Sequence, residues 1–307
     1  MSKSNPKALL QWLLGRVGMV YVAAFLFCLA FVDFKVLDTR TKIRHLNDSI
    51  PDFADMIIFS NGPHTKNIDW KPYKYYFKLI LRYMPDDLTV RQLLGFADYY
   101  TGQEKKAIDC FKGSSSFKGH DLFWSDYNLG VIYYKKGTWP QAADYLFKAI
   151  TAPEQLAVAL MQGSMVYRQI FASPFFKYSL QSDMAAARSK AYILLLSSLQ
   201  HMGQYEKMIF ISRLALADPA LSYKDAFYYY AGIAYYDIGQ INQALLLFEQ
   251  SLSIEKNDPD VYYYLAAIYG RAGRQQEARS FLQASYALHL KNDGRFPYTA
   301  HFNLQVF

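Results

Sequence analysis

The stretch LGVIYYKKGTWPQAADYLFKA, residues 129–149, decides the fold. Two helix-forming runs flank Gly137, and glycine readily adopts the left-handed conformation that ends a helix. Gly130 in the first run and Ala142 in the second are small, so two antiparallel helices can approach closely there. The stretch therefore predicts a tight helical hairpin.

The same pattern recurs along the chain. A glycine separates an aromatic, apolar helical run from an alanine-bearing one at Gly102, Gly137, Gly203, Gly239 and Gly273. The successive spacings are 35, 66, 36 and 34 residues, so three are close to a 34-residue period and the fourth is about twice that period. This regularity predicts a repeat protein, in which each hairpin stacks on its neighbours.

These repeats resemble the tetratricopeptide-repeat (TPR) family, whose pattern is Leu-Gly-x-x-Tyr, a turn glycine and Ala-x-x-x-Phe. Residues 129–149 match it best, and the runs around Gly102, Gly239 and Gly273 match it less closely. The run around Gly203 is degenerate, since Leu196 replaces the helix glycine. The resemblance covers residues 88–290 and implies an all-α, TPR-like helical-hairpin solenoid.

The pattern is weaker on both sides of the best repeats. Residues 51–87 predict atypical capping helices, interrupted by the turn sequence at 61–63. Between 151 and 189 the pattern lapses, and we expect a helix near 155–172, a break at 174–176 and a second helix from about Asp183 to Gln200. This region predicts one irregular hairpin with an inserted loop.

The N-terminal segment, residues 1–34, predicts a transmembrane anchor. Val17 to Val32 form an uncharged apolar run, and a helix from Leu13 to Val32 is long enough to cross a bilayer. A cleaved signal peptide is the alternative, but no good small-x-small cleavage site follows the apolar run. We therefore expect a retained single-pass helix that contacts the lipid bilayer.

The orientation of the anchor is nearly balanced by charge. Basic residues lie before the apolar run at Lys3, Lys7 and Arg16, and after it at Lys35, Arg40, Lys42 and Arg44. A short basic tail before a first apolar helix favours a solenoid outside the cytoplasm, in a periplasm-like compartment, with the cytoplasmic side as the alternative. Residues 35–50 then predict a juxtamembrane stalk, packed on a partner helix or on the chain's own body.

The TPR resemblance implies that the first helix of each hairpin lines a concave face. Nine of its twelve groove positions are candidate partner-binding residues: Phe96, Tyr99, Tyr127, Val131, Tyr134, Tyr229, Ile233, Tyr236 and Tyr263. Tyrosine offers a large rigid surface with a polar tip, which suits partner binding. The alternative is that these rings pack between successive hairpins.

The C-terminal segment, residues 291–307, predicts an extended tail. Apolar and polar residues alternate from Tyr298 to Val306, a pattern typical of a half-buried extended segment. We expect the tail to lie along a helical groove or to add a strand to a partner's sheet. Its docking residues would be Phe296, Tyr298, Phe302, Leu304 and Val306.

Composition limits the classes of function. Aromatic residues make up 17% of the 307-residue chain and charged residues 19%, which excludes a disordered chain. The net charge is +7, but no Lys/Arg run of nucleic-acid-binding type occurs away from the predicted membrane, so we expect no nucleic-acid partner. The six histidines are scattered, with no pairing at metal-ligand spacing, and no phosphate loop or nucleophile elbow is present, so we expect no cofactor, no metal site and no enzymatic activity.

The sequence therefore predicts a membrane-anchored TPR scaffold that mediates protein–protein interactions in a multi-protein membrane or envelope complex. Two alternatives stay open. One is a carbohydrate-binding TPR protein of polysaccharide export, because aromatic faces suit sugar stacking. The other is a cytosol-facing protein-import receptor, which the basic residues after the apolar run would suit.

Overall fold

The computed structural model describes residues 69–117, 120–153, 156 and 174–292. The described helices are, in chain order, α1 (Trp70–Tyr83), α2 (Leu88–Tyr100), α3 (Glu104–Lys112), α4 (Phe123–Lys135), α5 (Trp139–Thr151), α6 (Pro174–His201), α7 (Tyr205–Ala217), α8 (Lys224–Asp237), α9 (Ile241–Ile254), α10 (Pro259–Arg271) and α11 (Gln275–Asn292). Helices α2 to α11 form five hairpins, and α1 packs against α2. The described residues thus form the predicted all-helical, TPR-like solenoid.

The five hairpin turns share one geometry. All five predicted turn glycines have positive φ, from 65° at Gly203 to 80° at Gly239. In each turn the amide after the glycine donates to the carbonyl five residues back, as from Gln240 N to Tyr235 O at 2.8 Å. This pattern satisfies carbonyls that the end of the first helix would otherwise leave unpaired.

The helix glycines allow large side chains of the second helix to reach the first. A Cβ atom on Gly95 would lie 2.6 Å from the Phe111 ring, and one on Gly232 would lie 2.7 Å from the Phe248 ring. Each pair is separated by 16 residues, and both phenyl rings are fully buried. Glycine is therefore required here by packing, since a β-carbon would overlap the ring.

In the degenerate hairpin α6–α7, the large residue lies on the first helix and the small residue on the second. Leu196 replaces the helix glycine, and Ser212, 16 residues later, replaces the large residue; both are fully buried. The smaller side chain on α7 thus accompanies the larger side chain on α6. Ser212 Oγ has no hydrogen-bond partner among the described residues, which fits a site selected for size rather than polarity.

This reversal can be transferred to the first hairpin. Gly95→Leu alone is expected to destabilise the solenoid by about 1–3 kcal/mol through overpacking. In a protein that already carries Phe111→Ser, Gly95→Leu should cost at least about 0.5 kcal/mol less than it costs alone, because the serine vacates the space that leucine enters. Urea unfolding of the two single variants and the double variant measures this coupling. Additive effects would contradict the exchange.

Three features differ from the sequence prediction or lie outside the structure. Helix α6 begins at Pro174 rather than near Asp183, because proline lacks an N–H donor and is tolerated in the first turn of a helix. A two-residue antiparallel pair, β1 (Ser116–Phe117) and β2 (His120–Asp121), joins α3 to α4 and was not predicted. The predicted helix at 155–172, apart from residue 156, lies outside the described residues.

The predicted anchor and stalk, and the first of the capping helices, fall within residues 1–68, outside the described residues. Among the residues that the structure does describe, no helix is both long and apolar enough to cross a membrane. Helix α1 corresponds to the second predicted capping helix and begins at the N-cap Asp69, whose side chain accepts from Lys71 N.

Candidate functional site

The nine predicted groove residues divide into two groups by depth. Five are at most 5% exposed and belong to the core of the solenoid: Phe96, Tyr127, Val131, Tyr229 and Ile233. Four are half-buried: Tyr99, Tyr134, Tyr236 and Tyr263. Only the half-buried group offers side-chain surface to a partner in this conformation, and partner binding by it stays a prediction.

The buried residues join aromatic rings within and between helices. Phe96 makes an edge-to-face contact with Phe111, with ring centroids 5.5 Å apart, and Tyr127 stacks on Phe123 at 5.8 Å. Burial raises the pKa of Tyr127 well above its ordinary value, so its hydroxyl stays protonated. These rings supply packing energy within their own hairpins.

Three of the four half-buried tyrosines, Tyr99, Tyr134 and Tyr236, contact the next hairpin. The hydroxyl groups of Tyr134 and Ser197 form a 2.9 Å hydrogen bond between α4 and α6. The Lys135 ammonium lies 5.7 Å from the centre of the Tyr99 ring, and the Arg271 guanidinium lies 4.6 Å from the centre of the Tyr236 ring. Each of these tyrosines therefore bridges successive hairpins.

Two cations consequently flank the half-buried rings. Lys135 and Arg271 are both exposed, so their charge faces solvent beside an aromatic surface. Burial, followed by the charges of Tyr100 and Glu104, raises the pKa of Tyr99. The two pairs Tyr99–Lys135 and Tyr236–Arg271, here together named the tyrosine–cation face, can accept apolar groups on their rings and carboxylates on their cations.

The two cations were not predicted from the sequence, although the sequence carries a signal for them. Lys135 follows Tyr99 by 36 residues and Arg271 follows Tyr236 by 35, one repeat plus one or two residues. A basic residue at that distance after a groove tyrosine is therefore the pattern to search for.

The opposite side of the solenoid carries a second concave surface that was not predicted. A cleft of about 490 Å³ lies between α5 and α7, with Leu195 and Leu199 of α6 among its lining residues. Phe147 and Phe210 also line it and are 47% and 59% exposed. Lys207 lies at the same cleft and is exposed.

Two further predictions concern residues or groups beyond this face. The tail residues Phe296, Tyr298, Phe302, Leu304 and Val306 lie outside the described residues. Within the described part of the chain, no group of three or more His, Cys, Asp or Glu side chains is arranged to hold a metal ion.

Comparison with known proteins agrees with the repeat fold. Residues 232–273, which run from the second half of α8 through α9 and α10 to the turn glycine after α10, match the family model described as TPR repeat. No curated protein matches the chain. A solved structure titled "Crystal structure of MamA" is similar at 18% sequence identity and a TM-score of 0.47, covering 65% of this chain and 96% of that one.

Residues 232–273 thus match a TPR repeat, and the described residues form an all-helical, TPR-like solenoid. Helical-repeat solenoids present extended surfaces on which other proteins can bind.

Proposed function

We propose that this protein is a membrane-anchored scaffold, which recruits other proteins into a multi-protein membrane or envelope complex through its tyrosine–cation face. The uncharged run from Val17 to Val32 supports the anchor, and the basic tail before it supports a solenoid outside the cytoplasm. The repeats supply the binding surface.

The pairing of exposed cations with half-buried tyrosines carries the assignment of partner chemistry. Rings covered on one side by the next hairpin are rigid, so little side-chain entropy is lost when a partner contacts them. The neighbouring cations favour carboxylates. The partner is therefore a protein segment with apolar side chains flanked by acidic ones.

Reversing the charge of the two exposed cations tests the tyrosine–cation face without disturbing the core. Lys135→Glu combined with Arg271→Glu is expected to reduce recovery of the bound proteins from native membranes at least about tenfold, because like charges would then oppose the acidic partner. Quantitative mass spectrometry of pull-downs with the intact chain measures the loss.

The matched control is Lys207→Glu, the same change at an exposed lysine of the opposite cleft. It should leave recovery unchanged. Equal recovery with the double reversal and the wild type would argue against the tyrosine–cation face, and equal losses in all variants would indicate a non-specific charge effect.

Membrane orientation is tested by cysteine labelling, but Cys110 is a poor reporter. Its thiol is half-buried, and burial, followed by the charge of Asp98, raises its pKa to about 11. Because the thiolate is the reactive form, this cysteine should label slowly at neutral pH.

Lys256→Cys in a Cys110→Ser background places a thiol at an exposed position between α9 and α10. In sealed cells or vesicles of known sidedness, an impermeant maleimide should label it from the extracytoplasmic side. Labelling only after the membrane is opened would place the solenoid in the cytoplasm.

A further inference from the structure

The last hairpin, α10–α11, exposes apolar positions that earlier hairpins bury. Phe248 and Ala244 of α9 are fully buried, whereas the equivalent residues of α11, Leu282 and Ala278, are half-buried. Further along α11, Leu290 is 69% exposed. No described helix follows α11 to cover these positions.

Equivalent hydrogen bonds show that the two hairpins have the same internal packing. Ser251 Oγ donates to Asp225 O at 3.0 Å, and Ser285 Oγ donates to Pro259 O at 2.7 Å. Both serines are fully buried. The exposure of Leu282 therefore arises from a missing neighbour and not from a displaced helix.

The preceding hairpin shows what this surface binds. Tyr264 of α10 stacks on Phe248 with ring centroids 5.2 Å apart, and it makes edge contacts with Tyr229 at 6.0 Å and Tyr236 at 5.5 Å. Tyr229, Tyr236 and Phe248 thus form a socket for one aromatic ring. Tyr229 is 5% exposed under this cover.

One repeat later, the equivalent positions are Tyr263, Gly270 and Leu282, here named the terminal socket. All three are half-buried. Gly270 leaves open space at the position where Tyr236 forms a wall of the earlier socket, since a Cβ there would meet only Ala278 Cβ, at 3.8 Å. The terminal socket is therefore wider than its predecessor and suited to an aromatic ring.

The segment that follows α11 has the length and the pattern to fill this socket. Residues 293–307 could extend about 50 Å, whereas the 18-residue helix α11 is about 27 Å long. Asp293-Gly294 is a turn-forming pair. An apolar–polar alternation begins at Tyr298, so one face of an extended tail would be apolar.

Simple geometry gives the register of a tail that is extended and reverses at Asp293-Gly294. Leu282 precedes the end of α11 by ten residues, which is about 15 Å along the helix axis. An extended chain that reverses at Asp293-Gly294 covers this distance in about five residues. The level of Leu282 is then reached at residues 298–299, where the aromatic residue is Tyr298.

We propose that the chain's own C-terminal tail folds back along α10 and α11 and inserts Tyr298 into the terminal socket, as the cap that ends the solenoid. Phe302 then lies further toward the N-terminal end of α11. The tail takes the place that the first helix of another hairpin would occupy. This inference does not depend on the identity of any partner protein.

The first test is truncation of the otherwise intact protein after Gly294, with Tyr298→Ala as the single-residue variant. Both are expected to accelerate amide hydrogen exchange in α11 at least about tenfold, while exchange in α2 to α5 stays unchanged. Asn303→Ala, on the polar face of the same tail, is the matched control and should have no effect. Unchanged exchange in α11 after truncation would overturn the proposal.

The second test traps the contact. Gly270→Cys with Tyr298→Cys, in a Cys28→Ser and Cys110→Ser background, should form a disulfide within one chain on mild oxidation at low protein concentration. Disulfides formed only between chains would identify a second copy as the occupant of the socket. Absence of the bond in the purified protein, with protection of α11 only in native membranes, would identify another protein. Either result would overturn capping by the tail.

Discussion

Replacing Phe248 by alanine is expected to lower the free energy of unfolding by about 3–5 kcal/mol, as for other fully buried phenylalanines. Its ring is 0% exposed, covers Gly232 and stacks on Tyr264 of the next hairpin. No small shift can refill this space, because Gly232 has no side chain to move into it. The loss therefore combines transfer free energy with a residual cavity.

This variant should also weaken the coupling between neighbouring hairpins. In a solenoid, stability is approximately a sum of repeat and interface terms. With the α9–α10 interface weakened, α10 and α11 are expected to lose structure before the rest of the body. Circular dichroism during urea unfolding gives the total change, and hydrogen exchange shows where unfolding begins.

Leu246→Ala is the matched control, since Leu246 lies on the same helix and is 50% exposed. Its effect should be below about 1 kcal/mol. Similar losses for both variants would mean that burial of Phe248 at the hairpin interface does not determine the effect of substitutions in α9.

The turn and helix glycines explain why the fold could be predicted from the sequence. Gly239 needs a left-handed backbone and Gly232 needs the absence of a Cβ atom, so both requirements are visible in single residues. The reversed pair Leu196 and Ser212 is harder to detect, because each departs from the pattern separately and only their 16-residue spacing shows compensation.

The candidate site could be predicted less completely. Tyr229 and Tyr263 occupy the same repeat position, yet Tyr229 is 5% exposed and Tyr263 is half-buried. The difference comes from Tyr264, which covers Tyr229 from the next hairpin. Repeat position gives the direction in which a side chain points, whereas its depth depends on the size of residues about 35 positions away.

Buried carboxyl groups make stability depend on pH in an unusual direction. Asp126 of α4 is 1% exposed, and neither of its carboxyl oxygens has a hydrogen-bond partner among the described residues. Burial, followed by the charge of Asp121, raises its pKa to about 8. The charge of Asp144 also raises this pKa. The charge of Lys148 and the Leu122 amide lower it, although neither forms a hydrogen bond with the carboxyl group.

Two carboxyl groups at the start of α10 behave similarly. Burial, followed by the charge of Asp258, raises the pKa of Asp260 to about 7. Burial also raises the pKa of Asp258 to about 6, although its side chain caps α10 by accepting from Asp260 N at 2.9 Å. In the folded state these carboxyl groups therefore take up protons at a pH well above the usual pKa range of aspartate.

The sign of the pH effect follows from these shifts. Between about pH 4 and pH 8 the folded state holds more protons than the unfolded state, so stability decreases as pH rises through this window. Asp126 alone lowers the free energy of unfolding by an amount on the order of 3 kcal/mol between about pH 5.5 and pH 8. The Tm is therefore expected to be higher near pH 5.5 than at pH 8.

Asp126→Asn removes this ionisation while keeping nearly the same volume. We expect the variant to raise Tm at pH 8 and to reduce the difference in Tm between pH 5.5 and pH 8, because no charge then has to be buried. Asp109→Asn, at an exposed position on α3, is the matched control and should preserve the wild-type pH dependence. Differential scanning calorimetry across this pH range distinguishes the variants. A wild-type Tm that rises with pH, or an Asp126→Asn variant less stable than wild type at pH 8, would show that the carboxylate is stabilised in the folded protein.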